Sequence, residues 1–397
     1  RTPEQGNRCR TDLRLGTTLA TNALLTRAGA PTVLVITEGF ADLLAIGTQQ
    51  RPDLFALEIR KPPPLHAAVV EVPERIGADG GVVRPLDEPE LRRRLAAARE
   101  RGITCAAVAL MHADRFPTHE RRVAAVLAAC GFAHVCCSSD EAAAIRILPR
   151  AQTAVVDACL TPVVAGYLGR IRATIGSRRL LVMTSAGGLV GADTTRPKDL
   201  LLSGPAAGVV GAARAGRAAG FSRVLSFDMG GTSTDVARCD ERHEYVFEHR
   251  VGDAQLLAPA LAIETVAAGG GSVCLYGENG LTVGPASAGA QPGPACYGAG
   301  GPLTLTDVNL LLGRLDPERF GVPVTREPAA AALDDVRREL QRRAGEVARP
   351  EAILEGFLEI ANERMAEAIR RISIRRGYDP VSYTHLRSNE TTSHISY

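Results

Sequence analysis

Tryptophan is absent, and Phe, Trp and Tyr together supply only 4% of the 397 residues. A core for a chain this long must then be assembled from Val, Leu, Ile and Ala. None of the nine cysteines forms a Cys-x-x-Cys pair, and adjacent Cys136 and Cys137 are too cramped for an ordinary bridge. Free thiols of a cytoplasmic protein are the expectation. No uninterrupted run of about 18 apolar residues exists, so no membrane span is expected. Arg1 to Arg14 are polar and lack the apolar centre of a leader peptide. The formal net charge is only +2. No basic block carries interleaved aromatics, so a nucleic-acid partner is not expected.

What is present is glycine, 40 residues of it, with no low-complexity tract. That pattern fits sharp turns and close backbone approaches. The first half alternates strand and helix signals. Strands are predicted at 32–37, 103–110 and 132–136. Helices are predicted at 89–101, with Leu91, Leu95 and Ala98 on one face, and at 118–131, with Thr118 as its N-cap. This order predicts an α/β sheet. A helical stretch over 151–175 contains Pro162 and is expected to break or kink there. Strands follow at 180–183 and 223–228, and a long helix runs from Pro350 to about Arg376. The polar segment from Val381 to Tyr397 has no period. The expected division is 1–143, 144–380 and an unrelated tail over 381–397, disordered or artefactual.

The sharpest motif is Phe227-Asp228-Met229-Gly230-Gly231-Thr232-Ser233-Thr234-Asp235, set between apolar strand-like stretches. Two glycines let backbone N–H groups converge on an anion without interference from a Cβ. Thr232, Ser233 and Thr234 add hydroxyls. Asp228 and Asp235 flank the turn, where they are candidates to hold a magnesium ion or orient a water. No lysine follows the glycines and no helix begins there, so this is not a Walker loop. It matches the phosphate clasp of the actin, sugar-kinase and Hsp70 ATPase class. Three further segments suit anion handling. Ser203-Gly204-Pro205 opens an Ala- and Gly-rich helix. Gly269-Gly270-Gly271-Ser272 is a second glycine loop. Gly16-Thr17-Thr18-Leu19-Ala20-Thr21-Asn22 clusters small donors. His112 and His119 lack the further convergent ligands a metal site needs. Cys296 reads as a buried thiol with no histidine partner nearby in sequence.

Taken in order, these segments resemble the hydantoinase A/oxoprolinase family. The resemblance also rests on Gly284-Pro285-Ala286-Ser287-Ala288-Gly289-Ala290, Pro292-Gly293-Pro294-Ala295-Cys296-Tyr297-Gly298, Thr306-Asp307-Val308-Asn309 and Leu312-Gly313-Arg314-Leu315, and it covers residues 12–379. It implies an actin-like, ribonuclease H-like ATPase architecture. Two departures stand out. The family's first Asp-x-Gly-Gly-Thr motif does not precede Gly16, and its Gly-Gly-Ala-Gly-Pro loop does not follow Pro380. The architecture is therefore expected to be incomplete at both ends, and the chain inactive by itself.

The resemblance further implies ATP and Mg²⁺ as cofactors and a small cyclic amide, of hydantoin or 5-oxoproline type, as substrate. ATP would phosphorylate the carbonyl oxygen and so make the ring amide open to water. Gly230 to Thr234, Ser203, Gly204 and Gly269 to Ser272 would bind the nucleotide. Asp228 and Asp235 would be the catalytic and metal-holding pair. Thr17, Thr18 and Asn22 would face the substrate. A large hydantoinase B-type subunit, or a fused second half, would complete a hetero-oligomer. A ketone carboxylase subunit, a small-molecule kinase and an Hsp70-like reactivase remain as alternatives on the same clasp.

Overall fold

The computed structural model describes residues 12–387 apart from 51–53, 56, 60, 143, 177 and 346. These form two compact units, one of residues up to 207 together with 245–261, the other of 208–244 and 262 onwards. The expected boundary at 143/144 does not coincide with this division. The long helix Ile147–Ile175 belongs to the first unit, because its apolar side covers that unit's sheet.

That sheet has four parallel strands in the order Ala68–Val72, Thr32–Thr37, Cys105–Ala109, His134–Cys137. Strand Thr32–Thr37 is buried along its whole length, as a parallel strand covered on both faces must be. Alternation sorts its side chains. Val33 and Val35 pack with Val70, Val108, Leu91, Leu95 and Val123, under helices Glu88–Glu100 and Thr118–Ala129. Leu34 and Ile36 point the other way, onto Ala151, Ala154, Val155 and Ala158 of helix Ile147–Ile175. Helix Glu88–Glu100 starts as its sequence dictates: Asp87 accepts the Glu90 N–H at 3.0 Å. Thr118 is not an N-cap; it is the first helical residue, and Pro117 holds the cap position.

Helix Ile147–Ile175 is not interrupted at Pro162, which lies inside a single helical span. One residue earlier, the Thr161 hydroxyl donates to the Asp157 carbonyl at 2.7 Å. By length and hydropathy this helix would pass for a membrane span, but half of its most apolar window is buried inside the unit. It also carries fully buried Arg150. Arg150 donates to Ser138 Oγ at 2.5 Å and to the Leu110 carbonyl at 3.1 Å, with Glu120 at 3.9 Å. Glu120 in turn accepts from the Leu110 and Ser139 N–H groups and from Ser138. The hairpin Tyr245–Val251 with Ala254–Leu261, and a small sheet of Leu13–Leu15, Leu180–Met183 and Leu189–Gly191, complete the first unit.

The second unit is built on the antiparallel pair Arg223–Met229 and Thr234–Asp240. Ile263–Val266 and Arg242–His243 pair with the second of these strands, and Thr384–Arg387 runs parallel to the first. Helix Pro350–Ile372 covers the sheet, burying Ala368 and Ile372 against Leu225 and Val236. Its middle packs Phe357 and Ala361 with helices Leu305–Leu311 and Arg326–Ala344 and the hairpin Ser272–Gly277/Gly280–Ser287. The segment from 381 was expected to be unrelated to the fold. Residues 381–387 correct that expectation: Tyr383 is buried, accepts from Arg238 at 3.1 Å and donates to Asp240 at 3.0 Å, and leads into the strand. Residues 388–397 lie outside the described residues.

Candidate functional site

In the second unit the glycine clasp is a tight hairpin turn. Strands Arg223–Met229 and Thr234–Asp240 pair in register up to Met229↔Thr234, and the Gly230 N–H closes the turn on the Ser233 carbonyl at 2.9 Å. Gly230, Gly231 and Thr232 are exposed. A Cβ on Gly231 would meet nothing within 4 Å, so the outer side of the turn is open backbone. At Gly231 the backbone has no side chain in front of it on this side.

The second glycine loop lies directly against this turn. The Gly270 N–H donates to the Gly230 carbonyl at 3.1 Å, and the Gly271 N–H to the Gly231 carbonyl at 2.6 Å. A Cβ on Gly269 would stand 2.7 Å from Ser233 N and 2.8 Å from the Gly230 carbonyl oxygen. Glycine is thus required at 269 by the neighbouring backbone itself. Two of the expected ligand-binding hydroxyls are spent inside this brace. Thr234, fully buried, donates to the Ala268 carbonyl at 2.5 Å, and Ser272 Oγ accepts the Gly269 N–H at 2.8 Å. Thr232 and Ser233 stay at the turn.

Asp228 and Asp235 are cross-strand partners and so share one face of the hairpin. Asp235 accepts from the Thr265 hydroxyl at 2.6 Å. Burial pushes the Asp235 carboxyl above its usual range; the Thr265 bond opposes this, and the Asp228 charge adds to it. Two carboxylates on one face are oxygen ligands of the kind a hard divalent cation takes. Asp228 Oδ2 also stands 3.4 Å from where a Cβ on Gly208 would be, an ordinary contact distance, so helix Ser203–Ala218 passes close beside the carboxylate. A cavity of about 1190 Å³ borders this edge of the sheet at Thr265. Its walls carry Glu264, Glu355, Glu359, Glu363 and Glu367 against Arg314, Arg364 and Arg371, a net negative lining poorly suited to a polyphosphate.

Sequence reasoning singled out the Cys296 and Asp307 segments without a role for either. The structure joins them. Asp307 is buried and accepts from Ala295 N, Cys296 N, Thr304 N and Thr304 Oγ1 at 2.7–3.1 Å. One carboxylate thereby caps a helix and fixes a loop. Burial, followed by Asp307, raises the Cys296 thiol to about 12, so it stays protonated at neutral pH. Next along the chain, Thr306 donates through both N–H and hydroxyl to the Gly270 carbonyl, at 2.8 and 2.9 Å, and so supports the glycine loop from behind.

The remaining candidates cluster in the first unit. Ser203 Oγ, buried, accepts the Thr17 N–H at 3.3 Å. A Cβ on Gly204 would fall 2.9 Å from Thr18 Cγ2. The Gly-Thr-Thr segment therefore sits on the first turn of helix Ser203–Ala218. Thr17 Oγ1 accepts from Leu19 N at 3.1 Å, while Thr18 and Asn22 are exposed and 3.5 Å apart. None of the three expected substrate residues lines the unit's cavity of about 750 Å³, whose walls include Gly47, Gln152, His249 and Gln255. His119 is buried and bonded to Glu74 at 2.7 Å.

Residues 150–387 match the Hydantoinase/oxoprolinase family and residues 4–131 the Hydantoinase/oxoprolinase N-terminal region. The chain is 39% identical over 405 residues to 5-oxoprolinase 1 of Arabidopsis thaliana, a match covering 92% of this chain and 32% of the relative. It is 34% identical to caprolactamase subunit alpha of Pseudomonas jessenii, over 92% of this chain and 54% of the relative. The chain thus spans about a third of the length of the oxoprolinases it matches. The crystal structure of the ATP-dependent caprolactamase from Pseudomonas jessenii superposes with a TM-score of 0.77 at 31% identity, over 94% of this chain and 56% of that one. Nucleotide-free acetone carboxylase shares the fold, with a TM-score of 0.76 at 24% identity, over 94% and 55% of the respective chains. The mixed α/β architecture is consistent with the expected actin-like ATPase class. With the family match extending over more than half of its residues, the chain belongs to the hydantoinase/oxoprolinase family.

Proposed function

We propose that the chain is the nucleotide-handling part of an enzyme that opens a small cyclic amide at the expense of ATP. The observation that carries this reading is the double glycine brace. An open turn at Gly230–Thr232 is held rigid from behind by Gly269–Gly271, with two carboxylates at its base. Such a turn has no packing reason to be bare on its outer side. It suits an anion that must approach the backbone closely, and Asp228 with Asp235 suit the magnesium that accompanies a polyphosphate. The relatives, a 5-oxoprolinase and a caprolactamase, point to the substrate class.

Ring amides resist water because nitrogen donates into the carbonyl. Bound MgATP would supply the phosphoryl group that turns the carbonyl oxygen into a leaving group. The chain's own part is positional. N–H groups of the turn would hold phosphate oxygens, and the Thr232 and Ser233 hydroxyls would add to them. Asp228 and Asp235 would hold the cation, which would offset charge developing on the phosphates, and the Thr265 hydroxyl fixes the orientation of Asp235. A large second subunit, or a fused second half, would complete the site.

The test is to combine the chain with a large hydantoinase B-type subunit, or extend it by a fused second half, and supply 5-oxoproline, caprolactam or a hydantoin bearing heavy oxygen in the carbonyl. Amide-dependent ATP hydrolysis that carries the label into inorganic phosphate supports the reading. Label retained only in the ring-opened acid would reject phosphorylation at the carbonyl oxygen. Turnover only with a ketone and bicarbonate would move the protein to the carboxylase branch.

A further inference from the structure

A second constellation lies in the first unit, among residues that the clasp does not involve. Strand His134–Cys137 carries Cys136, the short helix Ser138–Glu141 ends at Glu141, and helix Ile147–Ile175 contributes Asp157. The Cys136 Sγ and one carboxylate oxygen from each acid all lie within 4.8 Å of one another. Cys136 Sγ is 3.5 Å from Asp157 Oδ2. In a tetrahedral site with bonds of about 2.0–2.3 Å, ligand atoms stand roughly 3.5 Å apart. That edge is already at the right length.

An independent feature indicates something between them. Glu141 Oε2 is buried and has no hydrogen-bond partner, on a side chain only 6% exposed. A buried carboxylate oxygen without a donor is costly, and native folds rarely leave one. The other oxygens are occupied in ways that orient the ligands. Glu141 Oε1 accepts from Arg196 at 2.6 Å, and Asp157 Oδ1 accepts the Lys198 N–H at 2.9 Å. The Lys198 ammonium is itself matched by Asp199 at 2.9 Å. Outer partners of this kind fix ligand geometry around metals.

We propose that Cys136, Glu141 and Asp157 form a binding site for a zinc-class divalent cation, with the fourth position left to water or a small ligand. One sulfur and two oxygens suit a borderline-soft ion, whereas magnesium and calcium prefer all-oxygen sets. Binding releases the Cys136 thiol proton, and any proton held on the carboxylates, to solvent. Burial is the first cause of the raised pKa values of all three groups, and for Cys136 and Glu141 the Asp157 charge comes next. A cation at the centre relieves that crowding. It would tie the sheet's edge strand to the long helix behind it.

The experiment uses the full chain, stripped with chelator and titrated with Co²⁺ in place of Zn²⁺. The expected result is one equivalent of tightly held cobalt with a thiolate-to-cobalt charge-transfer band. The band vanishes in Cys136→Ser, and affinity falls at least about tenfold in Asp157→Asn and Glu141→Gln. Circular dichroism checks that each variant is folded; should Cys136→Ser not fold, the two conservative acid variants decide. A folded wild-type chain that gives no thiolate band would overturn the site. So would a band that persists in Cys136→Ser, since it would belong to another cysteine. None of these readouts depends on ATP or on amide turnover.

Discussion

Asp228 and Asp235 stand directly opposite each other on neighbouring antiparallel strands, one residue pair below the end of the ladder at Met229 and Thr234. Both carboxylates therefore face the same side, at the foot of the glycine turn. Replacing either with asparagine keeps shape and removes the charge that a cation needs. Asp228→Asn and Asp235→Asn should each lower amide-dependent ATP turnover by about 10²–10³-fold. Because burial disfavours the charged form of Asp235, Asp235→Asn should also raise the melting temperature at neutral pH. Calorimetry beside the kinetics tests this pairing of lost activity with gained stability; a drop in both would contradict it.

The two glycine segments should separate by what their absent Cβ faces. At Gly269 a methyl meets backbone at 2.7–2.8 Å, so Gly269→Ala should cost about 1–3 kcal/mol in denaturant titrations. At Gly231 a methyl meets nothing. Gly231→Ala should unfold like the wild type yet bind nucleotide more weakly, as seen by calorimetric titration. Equal stability losses at the two positions would remove the distinction.

Asp307 holds four donors in place. Asp307→Ala strands the buried Cys296 and Thr304 N–H groups, while Ala295 N–H keeps the Pro302 carbonyl at 3.1 Å, and should destabilise by about 2–4 kcal/mol. Asp307→Asn should recover part of that loss, since an amide oxygen accepts from some of the same donors. With the loop freed, Cys296 should react faster with a thiol reagent.

Glu120 and Arg150 form the charged centre of the first unit, both fully buried. Glu120→Ala leaves the buried guanidinium with Asp114, at 3.7 Å, as its remaining carboxylate and strands the Leu110 and Ser139 N–H groups, and should cost about 3–5 kcal/mol. Exchanging both residues for apolar ones of similar volume should cost much less. Chemical denaturation of the single and double variants measures the difference.

Acid should weaken the fold through His66 and His243. Burial lowers the pKa of each below its ordinary 6.5, and each has a buried Nδ1 without a partner. A depressed histidine pKa means the unfolded chain takes up the proton first. Stability from this source is complete above about pH 6.5 and declines as pH falls below it. His66→Gln should flatten the fall in melting temperature between about pH 6.5 and 5. An unchanged slope would show that other groups govern acid unfolding.

Much of the architecture could be read from local pattern. The run Thr32-Val33-Leu34-Val35-Ile36-Thr37 became a strand with the predicted ends, because continuous β-branched and aliphatic residues suit only a strand covered on both faces. Helix Glu88–Glu100 followed its Asp-Glu-Pro start and Leu91/Leu95 spacing. The clasp turn formed between Met229 and Thr234 as its two glycines required. Where local signals failed, packing had overruled them. Pro162 does not end its helix, which is held by the sheet on which it packs. Tyr383 anchors a strand within a segment that has no hydrophobic period, since four residues added to an existing ladder need none.

The sequence by itself determined which residues have the chemistry of an anion clasp, since glycine, hydroxyl and carboxylate at fixed spacing specify a turn whatever surrounds it. Only the tertiary structure decided how each of them is employed. Thr234 and Ser272 turn their oxygens inward, Gly269 yields to a neighbouring main chain, and Thr232 and Ser233 stay at the open turn. The grouping of Cys136, Glu141 and Asp157 was likewise beyond local reading. Spacing along the chain fixes local geometry within a turn or a helix, whereas convergence from a strand, a short helix and a long helix exists only once the core has packed.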